Sequence, residues 1–166
     1  MTASPVAIAG LDVVDTDHHE DLLLCGTEIA GSCQHISGKP RTNKALIGYV
    51  IDGKYRMLAA KNHDDGRLAA RRMLRVLVTE DGMPALHLER LYANPGIQEG
   101  DAVDRALVEL AKAKAADMGC ALFADSDDDS KQQTLASLGS RAPFEYVDAE
   151  GGIRSREYEF EANRIA

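Results

Sequence analysis

The stretch from Arg67 to Gly119 constrains the fold most. A hairpin (GRLAARRMLRVLVTEDGMPALHLERLYANPG) runs through a glycine-bearing loop (IQEGDA) into an amphipathic helix (DAVDRALVELAKAKAADMG). A strand that hands its end to a helix N-terminus aims main-chain N–H groups and the positive end of the helix dipole at one spot, which makes a generic anion site. In the first arm, Leu68, Leu74, Val76 and Val78 fall toward one face with the period of a strand. Arg72 interrupts that face, so either a bulge flips the register or the arginine points into a polar pocket. Asp81-Gly82 turns the chain back into PALHLERLYA. In the helix, Val103, Ala106, Leu107, Leu110, Ala113 and Met118 form one stripe, and Gly119 supplies the stop.

Around this run the chain divides by its turn residues. Residues 1–10 read as a flexible lead-in and 11–166 as one domain, a length sufficient for a single core. LDVV is a short strand, and DTDHHEDLLLCGTEIA a short helix closed by Gly26. GSCQHISGKPRTNK has the Gly, Ser, Pro and Asn content of a loop; as the longest irregular stretch it is a candidate functional loop. ALIGYVI, an apolar β-branched run, predicts a strand, with Asp52-Gly53 turning it into YRMLAAKN. Four strands then form an antiparallel meander. CALFADS reads as a buried strand reached by a helical crossover and so paired in parallel. KQQTLASLG reads as a second helix ending at Gly139, and FEYVDAEGGIRSREYEF as a hairpin about Gly151-Gly152. The expected class is mixed α/β: meander, helix, parallel strand, helix, terminal hairpin.

Charge narrows the partners. A formal net charge of -8 repels phosphate backbones at long range, which argues against a nucleic-acid binder. Arg67, Arg71, Arg72, Arg75 and Arg90 cluster in the hairpin, where they either meet a phosphate-bearing ligand or pair with the 27 acidic residues. No apolar run approaches the roughly 20 residues that cross a bilayer, and the N-terminus lacks the basic flank of a secretory signal. The expectation is a cytoplasmic protein, with export by another route still open. Cys25, Cys33 and Cys120 are spaced as neither a disulfide framework nor a zinc pattern, which suits a reducing compartment.

The element order from about Ala45 to Phe160 resembles the GNAT N-acyltransferase superfamily. The resemblance implies a site where the central strand splays to accept the pantetheine arm of acetyl-CoA or another acyl-CoA, with the pyrophosphate on the following loop. The family pattern there is Gln or Arg, two residues, Gly, one residue, then Gly or Ala. Gly100 and Ala102 take the small-residue positions, Ile97 stands where Gln or Arg belongs, and Gln98 is one place late. Leu91, Gln98, Gly100, Asp101 and Ala102 are the implied cofactor contacts. The resemblance also implies a carboxylate base on the central strand, a position held by Glu89, acting on the amine of a small molecule or protein. The tyrosine that commonly protonates the leaving thiolate is replaced by Leu135, with Ser140 at the following phenylalanine position. Leucine cannot donate a proton, so Tyr92 or Tyr146 would have to substitute. GTEIAGSCQ followed by LIGYVIDGKYRMLA resembles regions of large bacterial proteins, including secreted effectors.

Individual residues allow rival readings. His87 and Glu89 share one side of a strand about 7 Å apart, as a proton-relaying pair or as part of a solvated or ion-paired face. Cys33 in GSCQH, with His35 near and His87 elsewhere, is the minimal inventory of a thiol nucleophile, although a free cysteine is more often a small buried hydrophobe. His18 and His19 among Asp15, Asp17, Glu20 and Asp21 suit a helix start better than a metal, since adjacent helical side chains diverge by about 100°. DSDDDS lacks the glycine and terminal glutamate of a calcium loop. No metal is expected. Three functions follow in order: acyl transfer from acyl-CoA to an amine, a non-catalytic module of the same fold that binds another protein, and a Cys33 hydrolase.

Overall fold

Strand β4 (Leu68–Thr79) organises the molecule, because its 12 residues are long enough to hold different partners at its two ends. The computed structural model describes residues 6–8, 10–125, 132–138 and 159–166. Along one edge, β3 (Tyr55–Asn62) pairs antiparallel with Leu68 to Arg75, and β2 (Leu11–Thr16) and β1 (Val6–Ile8) follow outward. β1 lies within the stretch expected to be a lead-in. Along the other edge run β5 (Pro84–Leu88) and the two-residue β6 (Tyr92–Ala93). Helix α3 (Ala102–Met118) then crosses over to β7 (Ala121–Ala124), which pairs in parallel with β5, as the helix-then-strand step predicts. Asp101 caps α3 through its side chain and Gly119, at φ +66°, closes it in the left-handed conformation that glycine adopts freely.

Beyond β7 the chain departs from its expected reading. Residues 132–137 form a strand, β8 (Gln132–Ser137), where KQQTLASLG predicts a helix. β8 pairs with β9 (Glu159–Arg164) and with Leu77 to Thr79 of β4; β9 pairs with β7. Strands β4, β5, β7, β9 and β8 therefore close a ring, filled by Leu77, Ala85, Phe123, Leu135 and Ala162, one from each strand. The strand wins because the segment buries only Leu135, which fills the ring, and builds no helical stripe. Of the expected terminal hairpin, all but its last residues lies outside the described residues.

The largest correction concerns residues 45–51. They are the second half of helix α2 (Pro40–Ile51), not a strand, and the loop before it is correspondingly shorter. Pro40 opens the helix where its missing N–H costs nothing. Ala45, Leu46 and Tyr49 are buried at helical spacing, and Asp52 ends the helix instead of starting a hairpin. Helix α1 (His19–Glu28) packs against α2 and runs through Gly26. A Cβ there would stand 2.3 Å from the carbonyl oxygen of Gln34, so Gly26 admits the following loop and is not a stop.

The sheet separates two cores. One face packs Leu58, Leu74, Leu86, Leu88 and Leu122 under Val103, Leu107, Ala111 and Ala115 of α3. The opposite face packs Met57, Ala59, Leu68 and Met73 under Leu22, Cys25 and Ile29 of α1 and Ala45, Leu46 and Tyr49 of α2. The register shifts opposite Ala60 and Lys61, so that Leu68 leaves the Leu74 face for the two-helix face. Arg72 stays on the α3 face and points at Asp104, 2.7 Å away. Asn94, after β6, staples these parts: its amide donates to the carbonyls of Glu28 and Leu68, and its oxygen accepts from the N–H of Ala30.

Candidate functional site

Under α1 and α2 the sheet carries charge where an ordinary core carries none. Alternation on β4 sends Arg71, Met73 and Arg75 to the two-helix face, and on β5 it sends His87 there. Glu89 follows on the same face, its N–H bonded to the carbonyl of Met73 at 2.9 Å. Arg75 stands between Tyr55 and His87 in one cross-strand row, and Glu89 lies diagonal to both arginines. Arg71, Arg75, His87 and Glu89 are at most 2% exposed, so this is no solvated sheet face.

Each arginine lies on a tyrosine ring and holds a polar partner. The guanidinium of Arg71 is 4.6 Å from the ring of Tyr92 and donates to Oε1 of Gln34 at 2.8 Å. Gln34 in turn donates to the hydroxyl of Tyr49 at 2.7 Å. Arg75 stands 5.1 Å from the ring of Tyr55 and donates to the hydroxyl of Ser137. His87 Nε2 meets Oδ1 of Asp125 at 3.1 Å. Burial, with the charge of Glu89 next in weight, pushes the Tyr49 phenol well above its ordinary value. Burial also raises the Cys25 thiol; Arg71 works against that shift and Glu89 adds to it. The carboxylate of Glu89 therefore sits beneath both helices, within electrostatic reach of Arg71, Tyr49 and Cys25.

A one-residue bulge follows Glu89. Leu88 pairs with Leu74 and Tyr92 with Arg71, so four steps on this strand face three on β4. The carbonyl of Glu89, turned out of the ladder, accepts from Nη1 of Arg72 at 2.9 Å. Leu91 and Ile97 pack into the α3 core, which explains an apolar residue at the expected anchor position.

The loop entering α3 is filled by its own carboxylates. Asp101 accepts from the N–H groups of Val103 (2.8 Å), Asp104 (2.9 Å) and Gln98 (2.9 Å). Asp104 accepts from the N–H of Gly100 at 2.8 Å and from Nε of Arg72, while Nη2 of Arg72 reaches Glu99 at 3.2 Å. The residues present fit a pyrophosphate poorly: four main-chain N–H groups of the entry, those of Gln98, Gly100, Val103 and Asp104, already donate to Asp101 and Asp104, and Glu99 adds a third negative charge. These same N–H bonds, Asp104 first and Gln98 next, hold the Asp101 carboxyl below the usual carboxylate value. Asp101→Ala is accordingly expected to cost about 1 kcal/mol of stability at neutral pH. A lowered folded value means the contribution is present above the unfolded value of 3.8 and lost as pH falls through the folded one. Melting temperatures of wild type and variant should thus converge as pH falls below 3.8; a gap that does not narrow at all in acid would exclude the cap as its origin.

The expected site residues therefore divide into three groups. Glu89, His87 and Tyr92 lie around one buried polar cluster; Gln98, Gly100, Asp101 and Ala102 form the closed helix entry; Leu91 joins the core between them. Tyr146 lies outside the described residues. Cys33 is exposed, while His35 accepts the N–H of Ser37 and His87 is engaged by Asp125. His18 is the N-cap residue of α1 without a side-chain cap, and its ring lies 4.6 Å from that of His19. Among the described residues, no three His, Cys, Asp or Glu gather as for a metal ion, and no helix is long and apolar enough to cross a membrane. Sequence reasoning named Arg71, Arg72 and Arg75 as a cluster and offered Arg72 a polar pocket, but it missed Gln34, Tyr49 and Asp104 as their partners. The available signal was the placing of Arg71 and Arg75 on one side of a strand otherwise too apolar to have a wet face.

A sheet of this topology, bulged after Glu89 and covered on one face by α3, is a mixed α/β fold like that of GNAT acetyltransferases. The chain is similar to the ribosomal-protein-alanine N-acetyltransferase of Brucella melitensis biovar Abortus 2308, with a TM-score of 0.52 at 19% identity, over 71% of this chain and 83% of that one. It is likewise similar to an aminoglycoside acetyltransferase from an uncultured soil metagenomic sample, solved in complex with sisomicin (TM-score 0.53, 13% identity, 72% and 79% covered). A transcriptional regulator from Bacillus halodurans C-125 matches at TM-score 0.52 and 15% identity, over 70% and 83%. No family model matches the chain, and no curated protein matches it in sequence.

Proposed function

We propose that this GNAT-like domain serves as a protein-interaction module that does not hold acyl-CoA at the entry to α3. The observation that carries the reading is the closure of that entry: the N–H groups of Gln98, Gly100, Val103 and Asp104 all donate to Asp101 or Asp104. A phosphate would have to displace carboxylates that are covalently part of the helix and already in place. Calorimetric titration with acetyl-CoA is expected to show no binding up to about 1 mM, a free energy no better than roughly -4 kcal/mol. Micromolar binding would overturn the reading.

A second reading, acyl transfer from acyl-CoA to an amine, is favoured by a different observation. Glu89 stands immediately before the bulge, buried, with His87 two residues away on the same face. In this reading Glu89 takes the proton of the attacking amine and the bulge's main chain faces the acyl group. Amines are the natural acceptors to try, since two of the similar structures are acetyltransferases named for an aminoglycoside and for the alanine of a ribosomal protein. Transfer from acetyl-CoA to any amine of such a panel, lost in Glu89→Gln with the fold intact, is the result that would establish it.

A further inference from the structure

Helices α1 and α2 form an excursion between two strands that already pair with each other. β2 and β3 are antiparallel neighbours, in register from Leu11 opposite Asn62 to Thr16 opposite Met57. The chain therefore leaves the sheet after Thr16 and returns to it at Tyr55, beside its point of departure. A segment whose two ends are held together by the ladder beneath it can lift without breaking a strand pair. α3 lacks that freedom. It is the crossover from β6 to the parallel strand β7, so its two ends are fixed at opposite ends of the sheet.

Inside the excursion the parts hold one another. Thr42 of α2 donates to the carbonyl of Cys33 at 2.6 Å, Asn43 donates to that of Ile36 at 3.2 Å, and Gln34 donates to the hydroxyl of Tyr49. Gly26 of α1 receives the main chain of Gln34. The ties to the sheet run through side chains. Lys61 meets Asp21 at 2.7 Å, Glu28 accepts the N–H of Leu68 at 2.7 Å, Asn94 bonds the main chain at Glu28 and Ala30, and Gln34 accepts from Arg71. What lies beneath also differs between the two faces. α3 rests on Leu58, Leu74, Leu86, Leu88 and Leu122, with the Arg72–Asp104 pair at its entry, whereas α1 and α2 cover Arg71, Arg75, His87 and Glu89. Charged groups regain hydration when a cover lifts and leucines do not, so the two-helix cover holds its face less firmly than α3 holds the other.

We infer that residues 19–51 are a lid, latched by Gln34, that opens as one body while the sheet and α3 stay folded, and that its opening brings Arg71 and Glu89 to solvent. The lid is independent of whether acyl-CoA binds, so the titration above and the measurements below fail separately. Hydrogen exchange on the wild-type chain should show α1 and α2 exchanging together, faster than β3, β4 and α3 and with a weaker dependence on denaturant, since a partial opening exposes less surface than unfolding. Cys25, fully buried between α1 and the sheet, gives a second readout in the chain carrying Cys33→Ser and Cys120→Ser: iodoacetamide should reach it faster than global unfolding permits. Gln34→Ala should speed that labelling about 10-fold, because its bonds are absent from the open state. Leu107→Ala, in the α3 core, should speed exchange of α3 by at least about 30-fold yet leave Cys25 labelling unchanged, because α3 stays packed when the lid is open. Exchange of α1 and α2 only together with α3, at the same denaturant dependence, overturns the inference, as does Cys25 labelling that Leu107→Ala accelerates as much as it accelerates α3. A labelling rate unmoved in Gln34→Ala overturns Gln34 as the latch.

Discussion

Replacing Arg72 by methionine is expected to lower the stability of the domain by about 3–5 kcal/mol, the usual result of removing one partner from a buried ion pair. For a chain of this size that is a fall of roughly 6–20 °C in melting temperature. The cost has a specific source. The Arg72 and Asp104 side chains are 7% and 5% exposed, and the guanidinium serves three acceptors: Asp104, the carbonyl of Glu89 and Glu99. Methionine fills much of the volume but leaves the Asp104 carboxylate buried with only the N–H of Gly100 among its former stabilising contacts. The carbonyl turned out by the bulge also loses its donor. The compensating double change, Arg72→Met with Asp104→Leu, should recover most of the loss, because two apolar groups in place of a buried pair are often neutral. It would also free the N–H of Gly100 from its acceptor, which makes the double variant the best one for repeating the acetyl-CoA titration. If Arg72→Met melts within about 1 °C of wild type, the pair is not the clamp between the bulge and α3 described above.

How far the sequence could be read follows from how many faces of an element carry a pattern. The extent of α3 was legible, with Gly119 as its stop, but its stripe was only partly so: Ala113 and Met118 are exposed, whereas Ala111, Ala115 and the charged Asp104 are buried. β3, β4 and β5 were legible because Gly66 and Gly82, both at positive φ, turn them back on one another. α2 was not, because Ile47, Val50 and Ile51 erase the polar stripe that separates a surface helix from a doubly buried strand. β8 was not, because one buried leucine in six residues fixes no period. At the site, the shared face of His87 and Glu89 was legible from strand alternation. Arg71 was not, since a strand arginine reads as a solvent-facing residue until the two helices above it are placed. The self-capping of α3 was half visible: Asp101 is an ordinary N-cap residue, but the use of Asp104 on Gly100 requires knowing that Arg72 comes from the strand below.

Arg71 is the second position where a single change should act strongly. Its guanidinium is fully buried, bonded to Gln34, stacked on Tyr92 and close in electrostatic terms to Glu89. Arg71→Met would leave the Gln34 oxygen without its donor and Glu89 with one fewer of the cations flanking it, a loss of about 2–4 kcal/mol. The damage should be local before it is global. Gln34 ties the loop between α1 and α2 to the sheet, so hydrogen exchange over residues 30–39 should accelerate by more than that of β4 and β5. Arg71→Lys should recover part of the stability, since an ammonium keeps the charge but cannot both fork toward Gln34 and lie flat on Tyr92. Alkaline titration gives an independent readout. Cys25 and Tyr49 are raised in the fold above their ordinary 9.0 and 10.0, so the stability they contribute is present below those values and lost as pH rises toward the folded ones. Arg71 lowers both groups, so Arg71→Met should extend that alkaline loss to higher pH without moving its onset, which the unfolded chain sets. A variant whose loop stays protected and whose alkaline limb matches wild type would show that Arg71 neither anchors Gln34 nor acts on the charges beneath the two helices.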